Sequence, residues 1–576
     1  MSNFDEVFDW VVVGSGGGSM CSGLLMRERG KSVVILEKTE FVGGTTARSG
    51  GVMWIPNNPF LKRDGIDDSF EKVATYLDTL AGDHDDTPGS TRVRRHTYLR
   101  EAPQMLAFLQ KQQIPFTRVS YWPDYHDELP GALKAGRTVV AELFDLNSLG
   151  NWKKKLRPGF LMVPASLDEG LKIMRARYLP EGKVAMVKVG VRIIAGLLMG
   201  KRYISAGAAL QGWMLSKALQ AGIDIRTESP VDEIIIEDGT AKGVITIKDG
   251  KPWRIGARLG VLVNAGGFAH NQRMRDQYIP GTKTIWSGAA PGDTGEMIEE
   301  MMRIGAATAQ MDERVGNQTT LPPGAEKSDI KPGAQQLTAA PHAILVDQSG
   351  VRYMNEGGSY MTYAKGMLER NKTVPAIPSW AVFDSQYTQR YMLAGVAPTK
   401  ARLKKWQDAG YVKCGDTIEA LAREINVDAK ALVATVERFN GFVAKNRDED
   451  FHRGERAYDL WLGDPTHKPS ATLGSIDKAP YYAVPVHPGD VGTYGGVVTD
   501  EFARVLRADG SVIEGLYATG VSTASVMGRV YPGAGSSVGP SFVWGYVAAN
   551  HAANRGAGGV RSTAPDLGSA DLSGSQ

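Results

Sequence analysis

Gly14-Ser15-Gly16-Gly17-Gly18-Ser19 directly follows the apolar run Trp10-Val11-Val12-Val13. A buried strand that ends in a glycine turn and leads into a helix brings backbone N–H groups close to an anion, with the positive end of the helix behind them. The chemistry indicated is binding of a nucleotide pyrophosphate. The third motif position departs from the usual Gly or Ala, being Ser19. A second apolar run, Ser32-Val33-Val34-Ile35-Leu36, ends in Glu37-Lys38, about twenty residues on, where a carboxylate reaches a ribose hydroxyl pair. The loop Gly43-Gly44-Thr45-Thr46-Ala47-Arg48-Ser49-Gly50-Gly51 carries little bulk and suits close contact with a cofactor. Metal chemistry is not expected. The nine histidines show no His-x-x-x-His spacing, and Cys21 and Cys414 form no Cys-x-x-Cys and read as buried thiols.

Hydrophobic patterning gives the scaffold around these motifs. At 576 residues, 42% hydrophobic and 22% charged, the chain has the composition of a globular protein with more than one core. A net charge of +3 gives no argument for nucleic acid. No basic-then-apolar leader precedes the first strand, so cytoplasmic residence is expected. Residues 67–109 read as helical and are followed by the aromatic loop Tyr121-Trp122-Pro123-Asp124-Tyr125. Strand-like runs at 223–225 and 230–236 precede a hairpin over 242–258 with Asp249-Gly250 at its tip. The run Gly260-Val261-Leu262-Val263-Asn264-Ala265-Gly266-Gly267 is a further buried strand closing in small residues, suited to a second approach to the same nucleotide. Pro291-Gly292-Asp293-Thr294-Gly295-Glu296 opens a helix whose N-terminus is a second candidate anion site. Another hairpin is predicted over 344–356. Small-residue motifs return at Gly515-Leu516-Tyr517-Ala518-Thr519-Gly520 and at 533–540. The predicted organisation is therefore an α/β, Rossmann-like nucleotide domain, 1–312 and 487–557, into which an α+β domain, 313–486, is inserted; the Gly/Ser/Ala-rich tail 558–576 reads as disordered.

Residues 171–203 depart from their surroundings. Lys172, Arg175, Arg177, Lys183, Lys188, Arg192, Lys201 and Arg202 face the single acid Glu181, and 184–200 is apolar except at Lys188 and Arg192. The stretch is too charged for a spanning helix. Two readings stay open: an interfacial helix on an anionic membrane surface, or a helical hairpin packed on the protein itself or on a second subunit.

The N-terminal fingerprint, the strand ending in Ala265-Gly266-Gly267 and the C-terminal Gly-Leu-Tyr-Ala-Thr-Gly together resemble the FAD-dependent flavoproteins of fumarate reductase and succinate dehydrogenase. Within that superfamily, Trp122-Pro123-Asp124-Tyr125, Asn355-Glu356-Gly357-Gly358-Ser359-Tyr360 and Tyr531-Pro532-Gly533-Ala534-Gly535 resemble the active-site motifs of 3-ketosteroid Δ1-dehydrogenases. The resemblance covers nearly the whole chain except 171–203 and the tail. The second motif departs from the commoner Asn-Glu-Ser-x-Pro-Tyr and keeps the tyrosine. Where the dicarboxylate reductases carry His-Thr-x-Gly-Gly, this chain has Gly492-Thr493-Tyr494-Gly495-Gly496, which favours an apolar ketone over fumarate.

The resemblance implies non-covalent FAD held by Gly14, Ser15, Gly16, Gly17, Gly18, Glu37, Lys38, Gly44, Thr45, Thr46, Ser49, Gly50, Gly51, Val231, Ala265, Gly266, Gly267, Asp293, Gly520, Ser537 and Val538. It further implies that the Tyr531 phenol and the Gly535 N–H bind the C3 carbonyl of a 3-keto steroid, that Tyr360 takes the C2 proton, and that Tyr125 assists it. The C1 hydride would leave for the flavin, and a quinone-like acceptor would reoxidise it. Three alternatives remain: a 3-keto-5α-steroid Δ4-dehydrogenase, a fumarate-reductase-like enzyme, and a non-catalytic flavin-binding scaffold docked on the cytoplasmic face of a membrane through 171–203.

Overall fold

The strand Glu6–Val13 is buried from Trp10 onward and lies at the centre of a sheet. It runs parallel to Val33–Leu36 on one side and to the end of the long strand Lys251–Val263 on the other. Asp224–Arg226 adds beyond Val33–Leu36, and Val512–Ala518 adds beyond 261–263, both parallel. Strands covered on both faces read as continuous apolar runs rather than alternating ones. That is why Trp10–Val13 and 261–263 are apolar throughout. The hairpin Thr240–Lys248 with Lys251–Val263 turns at Asp249-Gly250, both at positive φ, as the tip residues predict. The protein is described from a computed structural model, which covers residues 3–82, 87–161, 163–328 and 330–556. The predicted disordered tail lies outside them.

The helix Gly17–Glu28 packs on the C-terminal helix Val538–Gly556 at unusually close range. A Cβ on Gly17 would stand 1.9 Å from the Phe542 ring, and one on Gly545 would stand 2.3 Å from Gly18 O. The C-terminal segment therefore backs the glycine turn directly. The predicted helical stretch 67–109 is two helices, Phe70–Ala81 and Arg92–Lys111, capped by Ser69 and Thr91.

A second sheet is antiparallel: Arg314–Thr319, Tyr481–Thr493, Ser379–Asp384 and Ala343–Val346, with Lys413–Gly415 beside Tyr481–Thr493. Tyr481–Thr493 is one continuous strand across position 486. The hairpin predicted over 344–356 does not form. Its first arm pairs with Ser379–Asp384 instead, while Asp347 accepts from the N–H groups of Ser349 and Val351 and turns the chain away. A small third sheet, Val52–Trp54, Thr138–Ala141 and Phe116–Arg118, lies against the site described below.

The basic insertion is a helical pair, Leu167–Met174 and Pro180–Leu198, and it starts before 171, at a capping box of Ser166 and Glu169. The two helices approach through Gly182, where a Cβ would lie 2.2 Å from Lys172 O. Most of its cations are used within the protein. Arg175 donates to Trp461 O, Arg177 to the carbonyls of Thr388, Gln389 and Tyr391, and Arg192 to Glu169, while Lys172 pairs with Asp168 and Lys188 with Glu169. Backbone carbonyls and two carboxylates absorb them, as a hairpin packed on the protein itself requires. The outer apolar face is bare, with Val187, Leu197 and Leu198 67%, 72% and 85% exposed. Among the described residues no helix is long and apolar enough to cross a membrane.

Candidate active site

A cavity of about 940 Å³ runs from the glycine turn to the tyrosine motifs. At one end Gly14 and Gly16 meet Asn264, with a Cβ at Gly14 placed 2.3 Å from Asn264 O and φ at +91°. Only glycine fits there, which leaves the turn open to a phosphate. Ser19, the irregular motif position, has a specific partner: its hydroxyl accepts from Asn264 Nδ2 at 3.0 Å, joining the first helix to the small-residue strand end. The Glu37 carboxylate accepts from the Ser15 hydroxyl at 2.5 Å and from Thr39 N at 2.9 Å. Lys38 Nζ reaches Thr294 Oγ1 at 2.6 Å and Glu296 at 2.9 Å. The helix Glu296–Arg303 carries Glu296 and Glu299 in its first turn, which compensate its N-terminus from within, and its start lines the cavity through Gly292, Asp293, Glu296 and Met297.

Asp293 is buried in the cavity wall. One oxygen accepts from Gly267 N–H, the other has no partner among the described residues, and burial pushes its carboxyl up to about 7. An orphaned acceptor beside an open glycine turn fits a ligand that brings hydroxyls and a pyrophosphate. Gly44, Thr45, Thr46, Ser49, Gly50, Val231, Ala265, Gly266, Gly520, Ser537 and Val538 also line the cavity. Gly17, Gly18, Gly51 and Gly267 do not. Gly17 faces Phe542, Gly18 N donates to Ser541 Oγ, Gly51 abuts Ala206 and Gly207, and Gly267 abuts Thr493 Oγ1. These four glycines pack closely behind the wall.

At the other end three tyrosines from distant segments converge. Ring centroids are 5.3 Å apart for Tyr125 and Tyr360, 5.3 Å for Tyr360 and Tyr531, and 5.8 Å for Tyr125 and Tyr531. Tyr360 is the first residue of the helix Tyr360–Arg370, capped by Ser359. Tyr125 is wholly buried, and its N–H donates to Pro532 O at 2.9 Å, which ties the aromatic loop to the Tyr531–Gly535 turn. Burial holds the phenols of Tyr125 and Tyr360 well above the ordinary tyrosine range, with the neighbouring phenols adding to it. Tyr531 is raised less, to about 12, because Tyr360 and the Ser537 backbone oppose the burial. Gly535 lies against the third sheet, where a Cβ would meet Val52 O at 2.5 Å.

The loop that delivers Tyr360 is fixed by a buried ionic cluster. Glu356 accepts from Arg352 at 2.7 Å and from Leu345 N at 3.2 Å, and lies 3.4 Å from Arg453; Arg352 also pairs with Asp448 at 2.8 Å. Glu356→Ala would leave two buried guanidiniums short of a partner. Removing one member of such a pair costs roughly 3–5 kcal/mol. Thermal unfolding of the flavin-loaded variant is expected to occur well below that of the wild type; an unchanged transition would contradict the role given to the cluster.

Several wall residues escape motif reasoning. Asn264 and Ser541 carry the glycine-turn contacts, Arg48 within the small-residue loop and Arg157 beyond it both line the cavity, and Trp461 stacks on Trp122 at 4.7 Å. Tyr458 lies 4.6 Å from Tyr125 and accepts from Gln335 at 3.0 Å. The insertion also belongs to the wall, through Leu167, Leu171, Ile173 and Met174. The apolar spacing 167, 171, 174 was the available signal for a helix with one buried stripe. His487 is stacked on Trp286 at 4.9 Å, with burial lowering its pKa to about 4.

A central parallel strand that ends in a glycine turn, with Val315, Asn317 and Val491 of the antiparallel sheet on the same cavity, is the architecture of a dinucleotide-binding α/β protein. Residues 9–538 match the FAD binding domain family, and the chain belongs to it as an FAD-dependent oxidoreductase. It is 37% identical over 561 residues to the 3-oxosteroid 1-dehydrogenase of Mycolicibacterium smegmatis, covering 94% of this chain and 97% of that protein. It is 31% identical over 562 residues to the 4-oxocyclohex-2-ene-1-carboxylate 5-dehydrogenase of Sinomonas cyclohexanicum, covering 93% and 92% of the two chains. The crystal structure of the 3-ketosteroid Δ1-dehydrogenase from Sterolibacterium denitrificans in complex with 1,4-androstadiene-3,17-dione superposes with a TM-score of 0.89 at 33% identity, over 96% of this chain and all of that one.

Proposed function

We propose that the protein is a 3-oxosteroid 1-dehydrogenase, introducing the C1–C2 double bond into 3-keto steroids. The observation that carries this reading is the meeting of Tyr125, Tyr360, Tyr531 and Gly535 in one cavity with the FAD-lining residues. The Tyr531 O–H and the Gly535 N–H donate to the C3 oxygen, polarise the carbonyl and acidify the C2 proton, in the manner of an oxyanion hole. Tyr360 takes that proton on its phenol oxygen. The glycine turn, Glu37 and Asp293 would hold FAD, which would supply the acceptor for the C1 hydride. With one proton and one hydride removed, the electron pair left behind forms the new double bond.

A tyrosine base needs an explanation, because burial raises its pKa. The N-terminus of the helix begun by Tyr360 stabilises negative charge by about 0.3–1 kcal/mol, less than one pKa unit, which is about 1.4 kcal/mol. The dipole therefore loses to burial, and Tyr360 works once the Tyr125 phenol has ionised: it passes its own proton to the Tyr125 oxygen as it accepts the one from C2, which leaves both phenols neutral. The sign of the pH dependence follows. With the phenols protonated well beyond neutrality, the rate of anaerobic flavin bleaching is expected to rise with pH without levelling below about 10, the reference value for tyrosine. A plateau near neutrality would point to a different base.

Bleaching of the bound flavin by a 3-keto steroid under anaerobic conditions tests the reading as a whole. No bleaching would remove it. The product from a 5α-reduced 3-ketone, a 1-ene or a 4-ene, separates the proposed reaction from Δ4-dehydrogenation.

We further propose a quinone-like acceptor and peripheral contact with a membrane through the bare apolar face of Pro180–Leu198. The exposure of Val187, Leu197 and Leu198 supports this. Because Leu171, Ile173 and Met174 line the cavity, the test uses outer-face variants rather than a deletion. Val187→Glu with Leu198→Glu is expected to abolish binding to anionic vesicles while leaving soluble-acceptor turnover intact, and unchanged vesicle binding would contradict the assignment.

A further inference from the structure

We infer that Thr138 is a positioning residue for the carbonyl-binding pair, one that holds the Ala534–Gly535 peptide so that the Gly535 N–H is presented to the substrate oxygen; the inference rests on the reaction proposed above. Thr138 opens the strand Thr138–Ala141, sits opposite Trp54 in the third sheet, and is 2% exposed. Its hydroxyl donates to Ala534 O at 2.8 Å. A trans peptide is planar, and its C=O and N–H point in opposite directions. Fixing Ala534 O on the sheet side therefore turns the Gly535 N–H the other way, and Gly535 lines the cavity.

Among the described residues that N–H has no intramolecular acceptor. Buried N–H groups are nearly always paired. One left unpaired at a cavity wall, on a peptide whose carbonyl is pinned from behind, is a donor prepared for a ligand atom. The peptide has little freedom to relax. Gly535 stands at φ +97°, and the position of its absent Cβ is 2.5 Å from Val52 O and 2.6 Å from Trp54 N, so the neighbouring strand backs the turn. Thr138 supplies the remaining restraint against rotation of the peptide plane, and its β-branch limits the rotamers of the hydroxyl that does so.

The test compares full-length, flavin-loaded Thr138→Val, which keeps the shape and removes the O–H, with Thr138→Ser, which keeps the O–H. Two quantities are read: kcat and KM for a 3-keto steroid, and the 13C resonance of C3 in a C3-labelled 1,4-dien-3-one bound to the oxidised enzyme. Removing an oxyanion-hole donor outright lowers kcat about 10²–10³-fold. Loosening one is expected to lower it by about 10-fold, with KM little changed. In Thr138→Val the bound C3 resonance is expected to move toward its free-solution position, and Thr138→Ser is expected to restore both readouts. Wild-type kcat and C3 shift in Thr138→Val would overturn the inference, as would equal impairment of the two variants or a fall in kcat with an unmoved C3 resonance. If Thr138→Val does not retain flavin, Thr138→Ala carries the same expectations. A wild-type flavin that no 3-keto steroid bleaches would overturn the reaction assignment, and the inference with it.

Discussion

Tyr360→Phe is expected to lower turnover by about 10²–10⁴-fold, the range for loss of a positioned general base, while flavin content and thermal stability stay near wild type. The variant keeps the ring that packs at 5.3 Å against both Tyr125 and Tyr531 and removes only the oxygen. Tyr360 is also the first residue of its helix, so the Ser359 cap and the loop fixed by Glu356 do not depend on its hydroxyl. The loss should appear in single-turnover bleaching as well as in steady state, since the proton is removed in the step that reduces the flavin. Tyr125→Phe, one phenol further from the substrate, should show a smaller loss. Near-normal bleaching by Tyr360→Phe would remove that residue from the role of base.

Gly535→Ala should be almost as damaging, for a steric reason. Its Cβ would be placed 2.5 Å from Val52 O, 2.6 Å from Trp54 N and 2.7 Å from Met53 Cα, all backbone atoms of one strand. None of them can swing aside, so the turn itself must shift. A shift of the turn misplaces the N–H and reorients Tyr531 four residues earlier, and a loss in kcat of at least the 10²–10³-fold typical of a missing oxyanion donor is expected. Gly510→Ala is the control. Gly510 also has positive φ, at +82°, but meets nothing within 4 Å, so it carries only the strain of the left-handed region, roughly 1–2 kcal/mol. Turnover lost in Gly535→Ala and kept in Gly510→Ala would identify backbone contact, rather than φ alone, as the cause.

The parts of this protein that could be read from sequence are those in which one local rule decides the outcome. Trp10–Val13 and 261–263 are apolar without alternation because both faces of the parallel sheet are covered, and Asp249-Gly250 specifies its own hairpin. The hairpin over 344–356 failed because its second arm had to compete with Ser379–Asp384 for the same sheet edge, and nothing local reports a partner so far away. Ser19 looked like a flaw in the fingerprint until Asn264 supplied its hydrogen bond across the chain. Gly17, Gly18, Gly51 and Gly267 were indistinguishable by type from the glycines that face the cavity; what separates them is the residue behind each. The tyrosines gave no periodic signal, and only resemblance to a family singled them out of twenty. The charge of the insertion could not decide between its two readings, because the backbone carbonyls that take up Arg175 and Arg177 belong to segments more than two hundred positions away.

The strand Tyr481–Thr493 sets a limit on how such a protein can vary over generations. Its first half pairs with Ser379–Asp384 and its second with Arg314–Thr319, and near its far end Asp490 holds Arg275 and Ser287 while Thr493 Oγ1 accepts from Phe268 N. Side chains on a strand alternate between faces, so a gain or loss of one residue sends every later side chain to the opposite side. A single-codon deletion anywhere in this stretch would therefore unseat Asp490 and Thr493 beside the cofactor cavity even if it fell ten residues away. Substitutions can accumulate here one at a time, but a change of length cannot, and descendants of this chain should keep the spacing from 481 to 493 even where they keep few of its residues.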